Sequence, residues 1–307
     1  MSSSLSCRAP WLIGLLCLAL AACQTAPVSP VPIPPVVTPV PEVAPAPVPR
    51  PPRIGLALGG GAARGFAHIG VIQVLEENGI HPDLVVGTSA GSLVAALYAS
   101  GKNGVALGQL AEGMDETTIT DWSFPGRGLI RGDALARYVR DATGGRTIEK
   151  MPLPLGIVAT DLNSGQPILF QLGDTGLAVR ASSAVPAVFQ PVRIGTHEYV
   201  DGGLVSPVPV RFARQMGAQL VVAVDISAAP DGNPTGDPMR MLLQTFAIMG
   251  RSINNFELRD ADVVLRPKLP DVSSTDFTAR KHSIQAGRDA ALAALPQLKA
   301  AIAAKTR

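Results

Sequence analysis

Three short stretches of this 307-residue chain carry residues whose types and spacing suit acyl-transfer chemistry. Gly87-Thr88-Ser89-Ala90-Gly91 sets a serine at the centre of a GxSxG pentapeptide. A hydroxyl there can act as a nucleophile if the backbone bends sharply enough to present it alone, and Gly87 and Gly91 remove the Cβ atoms such a bend would crowd. The plainer reading is a small residue in a tight turn. The second stretch, Gly59-Gly60-Gly61-Ala62-Ala63-Arg64-Gly65, follows the apolar run IGLAL and precedes a helical pattern. Backbone N–H groups at such a junction converge on an anion, either a phosphate or the oxyanion of an acyl-transfer intermediate. The third stretch, Tyr199-Val200-Asp201-Gly202-Gly203, ends a strand-like run on a carboxylate. Alone it is a turn. Beside a candidate serine it becomes a candidate general base, because burial lifts a carboxylate pKa toward working pH.

The elements around these stretches must hold them together. Apolar runs at 54–58 and 84–88 alternate with the helical patterns AHIGVIQVLEENG and SLVAALYASG, which predicts an α/β layered fold. Further strands are expected in LPLGIVATDL, QPILFQL, FQPVRI, HEYVDGG, LVVAVDIS and ADVVLRPKL. Further helices are expected in GDALARYVRDATGG, VRFARQMGA, MRMLLQTFAIMGRSINNFEL and the Ala-rich tail from Ser283. Ser89 therefore follows a strand and opens a helix, which is the context a nucleophile elbow requires. A dinucleotide site is set aside. Counted from Gly59 the sixth position is Arg64, counted from Gly60 the third is Ala62, and the following strand ends in Ser89 rather than an acid.

In this order the motifs resemble the patatin-like phospholipase family. The likeness runs from Ile54 to Arg214 through GGGxxRG with GFAHIGV, GTSAG, ATDLNSG at 159–165, ASSAVPAVFQPV at 181–192, and DGG leading to PVPV. It implies a three-layer α/β/α fold and a Ser-Asp dyad with Ser89 as nucleophile and Asp201 as base. It also implies an oxyanion hole of backbone donors around Gly60, Gly61 and Ala62, with Arg64 holding the loop or a lipid phosphate. Gly65 belongs to the same anion loop, Gly87, Gly91, Gly202 and Gly203 are the motif glycines, and neither metal nor cofactor is implied. Ala62 departs from the family's glycine: it still offers an N–H, but a positive φ there would be strained. Of the four histidines, His68 and His81 read as packing or surface residues. His197 shares strand parity with Asp201. His282 would complete the chain order of an α/β-hydrolase triad, Ser89, Asp201, His282, as in a broad esterase or thioesterase. A lipid-binding lipoprotein without turnover is the non-enzymatic alternative.

The first fifty residues are of another kind. Arg8 precedes the apolar run WLIGLLCLAL, too short to span a bilayer and fit for a signal-peptide core. Leu20-Ala21-Ala22-Cys23 resembles a bacterial lipobox, so residues 1–22 are expected to be removed and Cys23 lipidated. Cys7 and Cys17 would leave with the signal, and the mature chain would hold no disulfide. Residues 23–53 form a Pro-rich tether whose polyproline II stretch, Pro27 to Pro52, reaches up to about 80 Å. Residues 54–214 are the patatin-like core, and 215–307 the C-terminal part of the same α/β domain. Gln24 after the lipidated cysteine matches outer-membrane sorting, hence an expected envelope lipoprotein facing the periplasm. Its partners would be membrane phospholipid or another acyl ester. Net charge of +2 and 4% aromatics, with no basic run, exclude a nucleic-acid footprint.

Overall fold

The computed structural model describes residues 49–307 apart from 115, 123–125, 231–234, 271 and 274. The expected signal peptide, Cys23 and all but the end of the expected tether lie outside the described residues. In chain order the strands are β1 (Ile54–Leu58), β2 (Leu84–Thr88), β3 (Gly128–Ile130), β4 (Leu155–Asp161), β5 (Pro167–Phe170), β6 (Ala187–Phe189), β7 (Val192–Ile194), β8 (His197–Asp201), β9 (Leu220–Val224) and β10 (Val263–Leu265). The helices are α1 (Phe66–Glu77), α2 (Ala90–Ala99), α3 (Gly104–Gly113), α4 (Glu116–Ile119), α5 (Asp133–Ala142), α6 (Thr175–Ser182), α7 (Val210–Gln215), α8 (Pro238–Glu257) and α9 (Arg280–Lys305).

Strands β1, β2, β4 and β9 are buried along their whole length, and apolar but for Thr88, Thr160 and Asp161, because both faces are covered. Leu56 and Leu58, with Leu220, Val222 and Val224, join the core that holds α1, α2 and α3. Ala57, Val221 and Ala223, which point the other way, pack against Val210, Phe212 and Ala213 of α7. The protein is thus a three-layer α/β/α fold. The main sheet runs β10-β9-β1-β2-β4-β8-β7, with β5 also on β4. The strands from β10 to β4 are parallel; β5, β7 and β8 are antiparallel to their neighbours.

The register on β4 brings the site together. β2 pairs with residues 155–158 of β4, β5 with 157–160 and β8 with 159–161. Each overlap with β5 forces the other strand to the opposite side, so β2 and β8 share one edge of β4, end to end. Thr88 ends against Val158 and Asp201 ends against Ala159.

Three helices, α3, α4 and α6, and the short strand β3 go beyond the sequence expectations. Two glycines lower the intrinsic helix preference of GVALGQLAEG. Tertiary contacts override that preference: Asn103 caps α3 by accepting from the Ala106 N–H at 2.9 Å, and Leu107 and Ala111 are buried in the core. The long α9 crosses α1 closely enough that a Cβ on Gly70 or on Gly287 would stand 1.9 Å from a carbonyl oxygen of the other helix. Among the described residues no helix is long and apolar enough to cross a membrane.

Gly287→Ala is therefore expected to cost about 1–3 kcal/mol of stability, as overpacking does. Gly113→Ala, at the end of α3 where an added Cβ meets nothing within 4 Å, should stay within about 0.5 kcal/mol. Urea unfolding of both variants checks the contrast.

Candidate active site

Ser89 sits between β2 and α2 with φ 53° and ψ −125°, a conformation that L-residues seldom adopt. It persists because its neighbours over-determine it. A Cβ on Gly87 would lie 2.3 Å from the Gly91 carbonyl oxygen, and one on Gly91 would lie 2.2 Å from that of Leu58, so only glycines fit this bend. The Ser89 N–H donates to Ser182 Oγ at 2.9 Å, and Ser182 Oγ donates to the Val158 carbonyl at 2.5 Å. Thr88 Oγ1 donates to the Ser206 carbonyl at 2.9 Å. The hydroxyl so presented stands at the positive end of α2, which favours negative charge on an attacking or leaving oxygen.

Ser89 Oγ donates to Asp201 Oδ2 at 2.7 Å. The other carboxylate oxygen, Oδ1, accepts the Gly203 N–H at 2.7 Å. The backbone of Asp201 is fixed from two sides: its N–H donates to Ala184 O at 2.9 Å and its carbonyl accepts from Thr160 Oγ1 at 2.8 Å. Gly202 fits against the junction, since a Cβ there would approach the Val158 carbonyl to 2.2 Å. Burial pushes the Asp201 carboxyl up to about 6, against the opposing pull of the Ser89 and Gly203 hydrogen bonds.

The glycine-rich loop comes within reach of the serine; a Cβ on Gly60 would lie 3.1 Å from Ser89 Cβ, and one on Gly65 2.9 Å from Ala90 Cβ. The Gly60 N–H is committed to the Pro207 carbonyl at 2.9 Å and is not an available donor. Gly61 and Ala62 have no backbone N–H partner among the described residues. Ala62 takes φ 49°, so the loop carries the strain its alanine foreshadows. Beneath it His68, fully buried, donates from Nε2 to Gly59 O at 2.8 Å; burial lowers its pKa to about 4, so the ring is neutral. Arg64 is buried, with Nε unpartnered and its pKa lowered by burial despite the attraction of Asp225. Its backbone N–H donates to the Gly61 carbonyl at 3.2 Å within the loop, and its side chain lines the cavity.

That cavity, about 1390 Å³, is lined by Ser89, Asp201 and the glycine-rich loop. Leu93, Val94 and Leu97 of α2 carry its apolar wall toward Leu107, Met114 and Leu135. Its charged lining among the described residues is four cations, Arg64, Arg240, Arg251 and Lys268, and one acid, Asp201. No histidine lines it. His81 and His282 are exposed, and His197 instead donates from Nδ1 to Asp161 Oδ2 at 2.7 Å. The strand parity of His197 with Asp201 places both on one face, but not at one site.

Ser182, Ser206 and Pro207 were not expected in the site. They act through partners distant in sequence, Ser182 93 residues from Ser89 and Ser206 118 from Thr88. No local pattern marks such contacts, although Ser182 falls inside the ASSAVPAVFQPV stretch and Pro207 opens PVPV.

Residues 56–214 match the profile of a family described as Patatin-like phospholipase. An uncharacterized NTE family protein of Mycobacterium tuberculosis is 37% identical over 184 residues, 59% of this chain and 51% of that protein. The mouse Patatin-like phospholipase domain-containing protein 6 is 34% identical over 184 residues, 57% of this chain and 14% of that protein. The chain thus spans about half the length, or less, of these curated relatives. The crystal structure of VipD from Legionella pneumophila superposes with a TM-score of 0.56 at 18% identity, covering 81% of this chain and 67% of that one, a likeness of fold.

The raised pKa of Asp201 has a consequence for stability. Between the ordinary value of 3.8 and about 6 the unfolded carboxyl is ionised while the folded one keeps its proton. Folding stability from this group therefore falls as pH rises through that window, by about 3 kcal/mol in total. Asp201→Asn, which removes the buried charge, is expected to raise the unfolding midpoint above pH 6 and to have little effect below about pH 4. Thermal unfolding at the two pH values measures it.

Proposed function

Because the chain belongs to the patatin-like phospholipase family, we propose that it is a serine acyl hydrolase that cleaves carboxylic ester bonds of membrane lipids by a Ser89–Asp201 dyad. The observation that carries the reading is the 2.7 Å hydrogen bond from Ser89 Oγ to a buried Asp201 at the wall of a large apolar cavity. Asp201 takes the hydroxyl proton as Ser89 Oγ attacks the ester carbonyl carbon. The oxyanion of the tetrahedral intermediate accepts from the Gly61 and Ala62 N–H groups. Collapse breaks the ester C–O bond, and Asp201 returns its proton to the leaving alkoxide, giving an alcohol or a lysolipid. Water then attacks the acyl-Ser89 carbonyl, Asp201 again accepting and returning the proton, and a free fatty acid leaves with Ser89 restored. The apolar wall suits an acyl chain, and the excess of cations suits a phosphate-bearing headgroup.

A dyad needs no imidazole. The base must be ionised, so the rate rises with pH through about 6, where Asp201 loses its proton. A histidine base titrates in nearly the same range, which leaves the pH profile alone unable to separate the two. The temperature dependence of the kinetic pKa does separate them, since a carboxyl pKa barely moves on warming and an imidazole pKa falls. At the other end of the chain, Cys23 would carry a lipid anchor that holds the enzyme at the envelope surface, facing the periplasm.

Fluorophosphonate labelling and release of fatty acid from phospholipid test the reading. Labelling and turnover are expected in the parent chain and absent in Ser89→Ala. Asp201→Asn should lose several orders of magnitude of turnover, whereas His282→Ala should be nearly silent. A folded but inactive His282→Ala would overturn the dyad. For the anchor, Cys23→Ala is expected to release the protein from the membrane fraction or stall its processing; unchanged fractionation with unchanged processing would refute lipidation.

A further inference from the structure

The most unusual surface of the protein is α8. Over 20 residues only Asn254 and Glu257 are buried. Five of the eleven exposed large hydrophobic side chains among the described residues, Met241, Leu243, Ile248, Met249 and Phe256, lie on this one helix. The outward face formed by Met241, Thr245, Ile248, Ser252 and Phe256 is exposed and carries no charge. A helix facing water ordinarily has a charged face there. The other side of the helix borders the site. Leu243, Phe246, Ala247 and Met249 of the same helix line the cavity that ends at Ser89.

The helix is tied down in both halves: Gln244 Nε2 donates to the Pro230 carbonyl at 2.6 Å. Near its C-terminus the buried Glu257 accepts from Ser206 Oγ at 2.6 Å, and Asn254 Nδ2 donates to Ser227 Oγ at 3.0 Å. Ser206 in turn accepts from Thr88 beside the nucleophile. The C-terminal end of α8 is thus registered on the active site, while Met241 and Ile248 stand exposed on its outward face. The charges around the opening supply complementarity. Arg240, which pairs with Asp237 at 3.1 Å, and Arg251 of α8 line the cavity with Lys268 from the segment after β10, and Arg259 stacks over the Phe256 ring with its guanidinium 5.1 Å from the centroid. An apolar stripe edged by cations fits the interface of an anionic bilayer.

The geometry points to α8 as a docking helix that lays the mouth of the active site on the surface of a phospholipid membrane, so that an acyl chain enters the cavity from the bilayer. The inference rests on the lipid-hydrolase reading for its purpose, but not for its test. Leu172 provides the control position. It is 72% exposed, and it follows β5, whose end at Phe170 pairs with Ile157, so it lies toward the end of the sheet away from Ser89.

A full-length chain with Ser89→Ala, Cys7→Ala, Cys17→Ala and Cys23→Ala takes one new thiol, either Ile248→Cys or Leu172→Cys, labelled with an environment-sensitive fluorophore. Added vesicles of phosphatidylethanolamine and phosphatidylglycerol are expected to shift the emission to the blue at position 248 and not at 172, and more strongly than phosphatidylcholine vesicles do. No shift at 248, or equal shifts at both positions, would overturn the proposal. So would a shift at 248 that follows protein concentration without lipid, which identifies a second copy of the chain as the occupant. Since Ser89 is absent, the outcome stands whether or not the protein is a hydrolase. In the chain that retains Ser89, Met241→Ser, Ile248→Ser and Phe256→Ser together should lower phospholipid hydrolysis on vesicles roughly tenfold while leaving turnover of a water-soluble short-chain ester unchanged. Equal loss on both substrates, or loss on neither, would overturn the proposal.

Discussion

The one edge of β4 shared by β2 and β8 governs this molecule. Two strands that run in opposite directions end on adjacent residues of a third, Thr88 opposite Val158 and Asp201 opposite Ala159. The residue after Thr88 and the last residue of β8 then have little choice but to meet. The 2.7 Å hydrogen bond from Ser89 to Asp201 follows from backbone register rather than from flexible side chains reaching for one another. The C-terminal end of α6 locks the same junction. Ser182 holds the Ser89 N–H and, two residues on, the Ala184 carbonyl holds the Asp201 N–H. Few rotatable bonds remain between the Ser89 hydroxyl and the Asp201 carboxylate, which is the condition that the proposed proton transfer requires.

The same packing sets the electrostatics. Asp201 is enclosed because β8 ends inside the sheet, and enclosure raises its pKa. A more exposed carboxylate with its ordinary pKa would be a poorer acceptor for a serine proton. Stability at neutral pH is lost to keep that charge buried. The strained φ values of Ser89 and Ala62 belong to the same account, since strain that a surrounding fold over-determines tends to collect where geometry matters. Arg64 and the neutral His68 flank the loop in complementary ways. One lines the cavity with its side chain. The other supplies a neutral donor to Gly59 without adding a second charge beneath the Gly61 and Ala62 donors.

Helix α8 links this rigid centre to the outside. Its buried Glu257 and Asn254 tie it to Ser206 and Ser227, near the elbow and the glycine loop, while its apolar outer stripe lies where a soluble protein usually carries charge. In the proposed hydrolase the Ser89–Asp201 pair and the exposed face of α8 would answer different needs. The first would require atoms held within a fraction of an ångström, and the second a surface that can meet a lipid layer.

The sequence by itself determined the chemical parts. GTSAG between a strand and a helix identified Ser89, because only glycines tolerate an elbow so tight. The glycine-rich run identified a loop able to offer N–H groups, and the unbroken apolar runs identified a sheet covered on both faces. These readings rest on interactions within a few residues of chain. What only the tertiary structure decided depends on register and on contacts far apart in sequence: that Asp201 faces Ser89 while His197 turns to Asp161, that Gly60 has no N–H to offer because Pro207 takes it, and that Ser182 holds the elbow. Alternation along β8 could place His197 and Asp201 on the same face but not say which neighbour each would find. Helices α3 and α6 were illegible for the same reason, since their stability comes from caps and from packing on distant elements rather than from their own residues.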